Sequence, residues 1–374
     1  MGRGRVMVGL SGGVDSAVAA LCLRDQGWDV RGLFMKNWEE DDARDHCAAA
    51  VDLQAAQEVA ERLGIELRTV NFASEYWDRV FEQFLAEYRA GRTPNPDVLC
   101  NSEIKFRAFL DQALTWGADY IATGHYARSE AGPHGTRLLC PADLDKDQTY
   151  FLYRLNQQQL GHSLFPLGDL TKPEVRRLAQ DAGLPNHARK DSTGICFIGE
   201  RRFRDFLARY LPAQPGPVET LDGRVIGQHQ GLMFHTIGQR QGLGIGGLAG
   251  AGEAPWFVAD KDLARNALIL VQGHQHPRLL FRSVRLAQLS WIAGSPPGPA
   301  PFSALARVRH RHPPQPCQVL DLAGQQGRVE FAEPQWALAP GQSLVLYRDG
   351  ECLGGGIMEA GEPWAEPAAP PPAP

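Results

Sequence analysis

Between Val6 and Gly27 the chain reads VMVGLSGGVDSAVAALCLRDQG. The turn Ser11, Gly12, Gly13, Val14, Asp15, Ser16 joins a short apolar run to a helical one. A Gly-rich turn in that place suits phosphate, because the turn amides and the helix dipole favour an anion at one spot. No Lys follows the glycines, so the turn is not a P-loop that grips a γ-phosphate, and it is not a G-x-G-x-x-G fingerprint either. Two cysteines stand in company that can activate a thiol. Cys100 lies in TPNPDVLCNSEIKF, ahead of a helical run, with Asp97 three residues earlier as a candidate general acid or base. Cys196 lies in KDSTGICFIGERRFRDFL, between Gly194 and the cations Arg201 and Arg202. A buried small hydrophobe is the alternative for each. That alternative is adopted for Cys22, Cys140, Cys317 and Cys352, while Cys47 falls on a plausible helix. No four-ligand zinc spacing is present, and no metal site is expected of the side chains.

The elements needed to position these residues follow from periodicity. VMVGL, VRGLFMKN, ELRTVNF and ADYIATGHY read as strands, alternating with helical runs such as CAAAVDLQAAQEVAERLG and EYWDRVFEQFLAEYRAG. This βαβ pattern predicts an α/β, doubly wound parallel sheet through about residue 211. Ligands of such sheets sit beyond the carboxyl ends of the strands, which places Met35 and Gly124 beside the opening turn. Pro94, Asn95 and Pro96 break the preceding helix, so NPDVLC is expected as a shaped loop. The following helix is then capped by Asn101 or Ser102. After RYLPAQPGPV the Pro and Gly content rises and long helical periods vanish. A small β-rich central domain is expected over 212–276, a C-terminal barrel-like β domain over 277–361, and a disordered Pro-rich tail over 362–374.

The chain has 374 residues and 43% hydrophobic residues, ordinary for a multidomain globular protein. It has no signal-peptide pattern and no apolar run long enough for a membrane span. Seven cysteines without a C-x-x-C pair suggest reduced thiols and a cytoplasmic location. The net charge of −5 argues against nucleic acid, but its distribution argues for it. From Leu263 to Leu320 there is no Asp or Glu, where the chain average predicts roughly seven, and seven Arg are present: 265, 278, 282, 285, 307, 309 and 311. A locally basic module fits phosphate-backbone binding.

SGGVDS resembles the PP-loop of ATP pyrophosphatases, which split ATP between the α and β phosphates and adenylate a substrate. Further along, GLFMKNWEEDD, TPNPDVLCNSEIKF, YIATGHYAR, DKDQTYFLY, DSTGICFIG and HTIGQRQGLGIGG resemble, in order, the bacterial tRNA-specific 2-thiouridylase family. The match runs to PGQSLVLY and covers nearly all of the chain except the tail. The resemblance implies an enzyme that replaces O2 of the wobble uridine with sulfur. ATP and Mg²⁺ would be held by Gly9, Leu10, Ser11, Gly12, Gly13, Val14, Asp15, Ser16, Met35 and Gly124. Uridine O2 would attack the α-phosphorus, and Cys196 would carry a persulfide supplied by a sulfur-relay protein or cysteine desulfurase. Its terminal sulfur, or sulfide released when Cys100 attacks the inner sulfur, would then displace AMP. The second route leaves a Cys100–Cys196 disulfide. Asn95, Pro96 and Asp97 would face the target base. Further tRNA contacts are implied at His125, at Lys146, Asp147 and Gln148, at Arg309 and His310, and at Gln342. RVRHRH matches the family only loosely. Two other functions fit parts of the sequence: a PP-loop amidotransferase or ligase acting on a small molecule, and a non-catalytic tRNA-binding protein.

Overall fold

The computed structural model describes residues 3–38, 48–133, 135–190, 203–245 and 252–364. Its first strands are β1 (Arg5–Gly9), β2 (Asp29–Lys36), β3 (Leu67–Asn71) and β4 (Tyr120–Ala122). A hairpin of β5 (Arg128–Gly132) and β6 (Gly135–Leu139) follows, then the two-residue β7 (Ser163–Leu164). β1, β2, β3, β4 and β7 form a parallel sheet in the order β3-β2-β1-β4-β7. Strand alternation explains why both faces are covered. Val6 and Val8 point to one side, into a core with α1 (Val14–Asp25) and α2 (Ala48–Leu63). Met7 points to the other, into a core with Phe84, Ile104 and Phe109. The doubly wound α/β domain read from the βαβ pattern is therefore present.

The segment around Cys100 departs from expectation. Helix Glu82–Arg89 ends before Gly91, which takes φ +73°. A new helical run then starts at Pro96, not at Asn101: Pro96–Leu99 is α-helical, Cys100–Ala108 is π-helical and Phe109–Thr115 is α-helical. Its cap is Asn95, whose side chain accepts a hydrogen bond from the Asp97 amide at 3.2 Å. Proline at the first helical position starts a helix as readily as it ends one, because the amide it lacks has no intrahelical acceptor there. Cys100 is thus inside a helix rather than in a loop, and Asn101 and Ser102 are buried interior residues.

The central unit is a four-stranded sheet of β8 (Gly216–Thr220), β9 (Val225–His229), β10 (Trp256–Asp262) and β11 (Ala267–Gln272), in the order β10-β11-β8-β9. The last strands are β12 (Leu280–Trp291), β13 (Phe302–Arg307), β14 (Gln315–Ala323), β15 (Gln326–Trp336), β16 (Ser343–Arg348) and β17 (Glu351–Pro363). They run antiparallel and close into a six-stranded barrel through the β12–β17 pairing. Glu362 and Pro363 lie in β17, paired with Ser283 and Phe281, rather than in a tail. The hairpin β5–β6 leaves the first segment and joins the barrel, with Leu139 opposite Glu351 and Leu138 opposite Cys352.

Candidate active site

The strand order reverses between β1 and β4, and the crevice of a doubly wound sheet opens at such a reversal. The turn 11–16 follows β1 and Gly124 follows β4, so both stand there. Gly12 takes φ +77°, and a Cβ on it would meet the Asp52 carbonyl oxygen at 2.5 Å. Its own carbonyl accepts hydrogen bonds from Asn186 Nδ2 at 2.9 Å and Arg189 Nη1 at 3.1 Å. Ser16 Oγ donates to the Gly13 carbonyl at 3.0 Å and accepts from the Ser11 amide at 3.2 Å, which fixes the turn from within. Gly13 caps α1 without a side chain. The first amides of the helix have no intrahelical acceptor and remain available to an anion. A Cβ on Gly124 would lie 2.7 Å from Asp15 C and Ser16 N. Met35 Cε and the Phe109 ring pack against Gly9. The structure therefore gathers Gly9–Ser16, Met35 and Gly124 in one place.

The Asp15 carboxylate accepts hydrogen bonds from Lys172 Nζ at 2.7 and 2.8 Å and from the Tyr126 hydroxyl at 3.0 Å. Lys172 begins the helix Lys172–Asp181, whose start is fixed by a Thr171–Glu174 capping box. Lys172, Asn186, Arg189 and Tyr126 are absent from the residues picked out by sequence. The TKPE string does announce a helix start, but nothing in it says that the start lies against Asp15.

Asp97 and Cys100 are one turn apart on the helix that also carries Phe109 to Gly9. Cys100 has no exposed surface, whereas Asp97 is half-buried. A π-helical segment begins at Cys100, and such segments recur at functional sites. The barrel holds the approach to this helix. Gln342 Nε2 donates to the Thr93 carbonyl at 2.7 Å, and the Thr93 amide donates to the Pro340 carbonyl at 2.8 Å. Pro94, Asn95, Pro96, Arg154 and Gln288 line a shallow cleft between the first domain and the barrel. Cys196 lies outside the described residues.

The remaining residues picked out for RNA divide into two kinds. Segments 146–148 and 309–310, far apart in sequence, are joined: His310 Nε2 donates to the Asp147 carbonyl at 2.9 Å. The Asp147 side chain itself is enclosed. It accepts from Arg307 at 2.6 Å, from the Thr149 amide at 2.9 Å and from the Thr149 hydroxyl at 2.7 Å. Gln148 accepts from the Tyr126 amide at 2.8 Å, and Lys146 is half-buried. His125 is buried, bonded to Thr123 Oγ1 at 2.8 Å and tilted against Phe106. Burial, and then Lys105, hold its pKa well below the usual value, so the ring is neutral at neutral pH. Arg309 bonds the Ala337 carbonyl and lies over the Trp336 ring.

The acid-free stretch is less basic in space than in sequence. Arg265 pairs with Glu219 and Asp262, Arg278 with Asp260, Arg282 with Glu330 and Arg307 with Asp147. All of these carboxylates come from outside the stretch. Arg285 and Arg311 are exposed and have no ion partner among the described residues.

A family model described as "tRNA methyl transferase HUP domain" matches residues 4–200. "tRNA methyl transferase PRC-barrel domain" matches 204–272, and "Aminomethyltransferase beta-barrel domain" matches 281–358. Curated relatives carry a different name. A tRNA-specific 2-thiouridylase MnmA of Marinobacter nauticus is 58% identical over 95% of this chain and 91% of its own. One of Tolumonas auensis is 59% identical over 95% and 96%. The chain belongs to the tRNA-specific 2-thiouridylase family. Identity this high over whole chains outweighs the methyl-transferase wording of the broader descriptions. Among solved structures, an NMN synthetase from Francisella tularensis is similar over 52% of this chain and 67% of its own, at 20% identity and TM-score 0.32. A 4-thiouridine synthetase–RNA complex with bound ATP is similar over 56% and 50%, at 17% identity and TM-score 0.34. Neither likeness adds weight to the family assignment.

Proposed function

We propose that this chain performs the 2-thiolation of the wobble uridine of tRNA, by adenylating uridine O2 and then transferring sulfur. As a member of its family it is a tRNA uridine sulfurtransferase that uses ATP. The observation that carries the finer reading is the pairing of two features. A glycine turn that opens helix α1 stands at the β1–β4 switch point, and a helix that packs on the end of β1 carries Asp97 and Cys100. The alternatives explain only one feature each: a ligase leaves the two cysteine motifs unused, and a mere RNA binder leaves the intact turn unused.

In this reading the amides of the turn hold the β and γ phosphates while O2 of the uridine attacks the α-phosphorus. The α–β bridging oxygen leaves with the bonding electrons as pyrophosphate, and Asp97 takes the N3 proton of the uridine. Asn95 and Pro96, fixed by the helix start and by Gln342, shape the place for the base. The further tRNA contacts are assigned to Lys146, Gln148, Arg309 and His310, which keep exposed surface, with the buried His125 and the enclosed Asp147 beneath them. Mg²⁺ would be held by Asp15 and the Ser16 hydroxyl together with the nucleotide, and would neutralise phosphate charge. These are hard oxygen donors of the kind it prefers. Among the described residues no group of three or more His, Cys, Asp and Glu forms a resident metal cage.

The sulfur comes from a persulfide on Cys196, loaded by a relay protein or a cysteine desulfurase. Attack of the Cys100 thiolate on the inner sulfur would free sulfide and leave a disulfide that a cellular dithiol must reduce; addition of that sulfide at C2 would then break the C2–O bond and release AMP. The cytoplasm supplies such reductants. No helix among the described residues is long and apolar enough to cross a membrane. The test is mass analysis of tRNA nucleosides after incubation with ATP, Mg²⁺ and sulfide, with the nucleotide products assayed in parallel. Thiouridine with AMP and pyrophosphate is expected, and ADP with orthophosphate as the main products would overturn the adenylation step.

A further inference from the structure

We propose that Lys172 is the cation that receives the departing pyrophosphate, and that its pairing with Asp15 is a resting position from which ATP displaces it. The proposal rests on the ATP reading above and names a residue outside the motif that carries that reading. The turn 11–16 contains a carboxylate and no cation. A pyrophosphate seated on its amides would therefore face Asp15, and because the nearby Arg189 guanidinium is already engaged by the Gly12 carbonyl and Asp52, the charge gained by the leaving group would worsen the repulsion. A P-loop solves this problem with a Lys in its own turn. Here the ammonium comes from a distant helix. Lys172 Nζ lies 2.7 and 2.8 Å from the two Asp15 oxygens, and the residue is only 8% exposed.

The anchoring suits a movable side chain on a fixed backbone. The Lys172 amide is held by Asp143 Oδ2 at 2.9 Å, and the Thr171–Glu174 capping box pins the start of the helix. The four-carbon stem can swing without moving either. When Nζ leaves, the Tyr126 hydroxyl, 3.0 Å away, still bonds Asp15, so the carboxylate is not stranded. It is then open to a cation that arrives with the nucleotide. Lys172 also occupies the first position of its helix, where the dipole adds to the positive field at the turn.

The experiment compares ATP and AMP binding by calorimetry for wild type, Lys172→Gln and Lys172→Arg, with tRNA-dependent pyrophosphate release measured alongside. Losing a charge-assisted contact to the β and γ phosphates should weaken ATP by about tenfold or more while leaving AMP within roughly twofold, and Lys172→Arg should recover part of the loss. A merely structural ion pair would weaken both nucleotides equally. That outcome, or unchanged ATP affinity, overturns the proposal. If Lys172→Gln fails to fold, Asp15→Asn is compared with Asp15→Asn/Lys172→Gln, which buries no unpaired charge. The preference for ATP over AMP should survive in the first and vanish in the second; its persistence in both overturns the proposal. A wild type that binds ATP but releases no pyrophosphate with tRNA would instead count against the adenylation reading.

Discussion

Cys100 sits in the second turn of its helix with no exposed surface, so its thiol meets a sulfur partner only if the packing around it opens. Cys100→Ser should keep the fold and the binding of ATP and tRNA, at a cost of about 1–2 kcal/mol for burying a hydroxyl. Thiouridine formation, read by nucleoside mass analysis, should fall to background because Ser cannot attack a persulfide. Retained thiolation would return Cys100 to a packing role. His235 offers a test at another residue. It is 3% exposed and neither ring nitrogen has a hydrogen-bond partner among the described residues. Burial first, then His229, Lys261 and Arg204, push its pKa down to about 4. Below pH 6.5 the unfolded chain takes a proton that the folded chain refuses until about pH 4. This contribution to stability is thus complete above pH 6.5 and is lost on acidification through that window. It amounts to about 2 kcal/mol between neutral pH and pH 5. Denaturant melts at pH 7.5 and pH 5 should show a smaller pH dependence for His235→Phe than for wild type; equal dependence would show that the ring does not titrate in this way.

At the scale of elements, the turn after β1 and the strand end at β4 are held together by the absence of a side chain. A methyl group on Gly124 would press on the backbone of Asp15 and Ser16 at 2.7 Å, and neither can retreat without moving the start of α1. Gly124→Ala should destabilise the protein by about 1–3 kcal/mol and raise the KM for ATP more than it lowers kcat. An unchanged KM would show that the turn tolerates the shift. The helix start at Pro96 is a second such device. Asn95 caps it, and the barrel residue Gln342 ties down the residues just before it, so one short segment links Asn95, Pro96 and Asp97 to the barrel.

Across the whole molecule, two arginines of the acid-free stretch, Arg307 and Arg311, separate stability from RNA binding. Arg307 is 9% exposed and bonded to the enclosed Asp147. Arg307→Ala should cost about 3–5 kcal/mol, because it leaves a buried carboxylate without its cation. Arg311 is exposed on the same loop as His310. Arg311→Ala should leave the melting temperature unchanged and lower the salt slope of tRNA binding by about one. A normal slope for Arg311→Ala would move the RNA surface to another face.

Local pattern alone determined the parallel α/β domain, the glycine turn between β1 and α1, and the β-rich character of the rest. Each of these is written in residues near one another: the period of the apolar positions, glycines between a strand and a helix, short strands with regular turns. The same local reading misplaced the start of the Cys100 helix, because Pro96 can end one helix or begin the next, and only the packing of Ile104, Phe106 and Phe109 into the core chose. It also counted seven arginines as a basic surface, since carboxylates more than 40 residues away, such as Glu219, Glu330 and Asp147, are invisible to composition. The pairing of β6 with β17, the junction of Asp147 with His310 and the contact of Lys172 with Asp15 belong to the tertiary structure alone. Each joins segments separated by more than 150 residues, and no short-range periodicity records which distant partner satisfies a strand edge, a carbonyl or a buried charge.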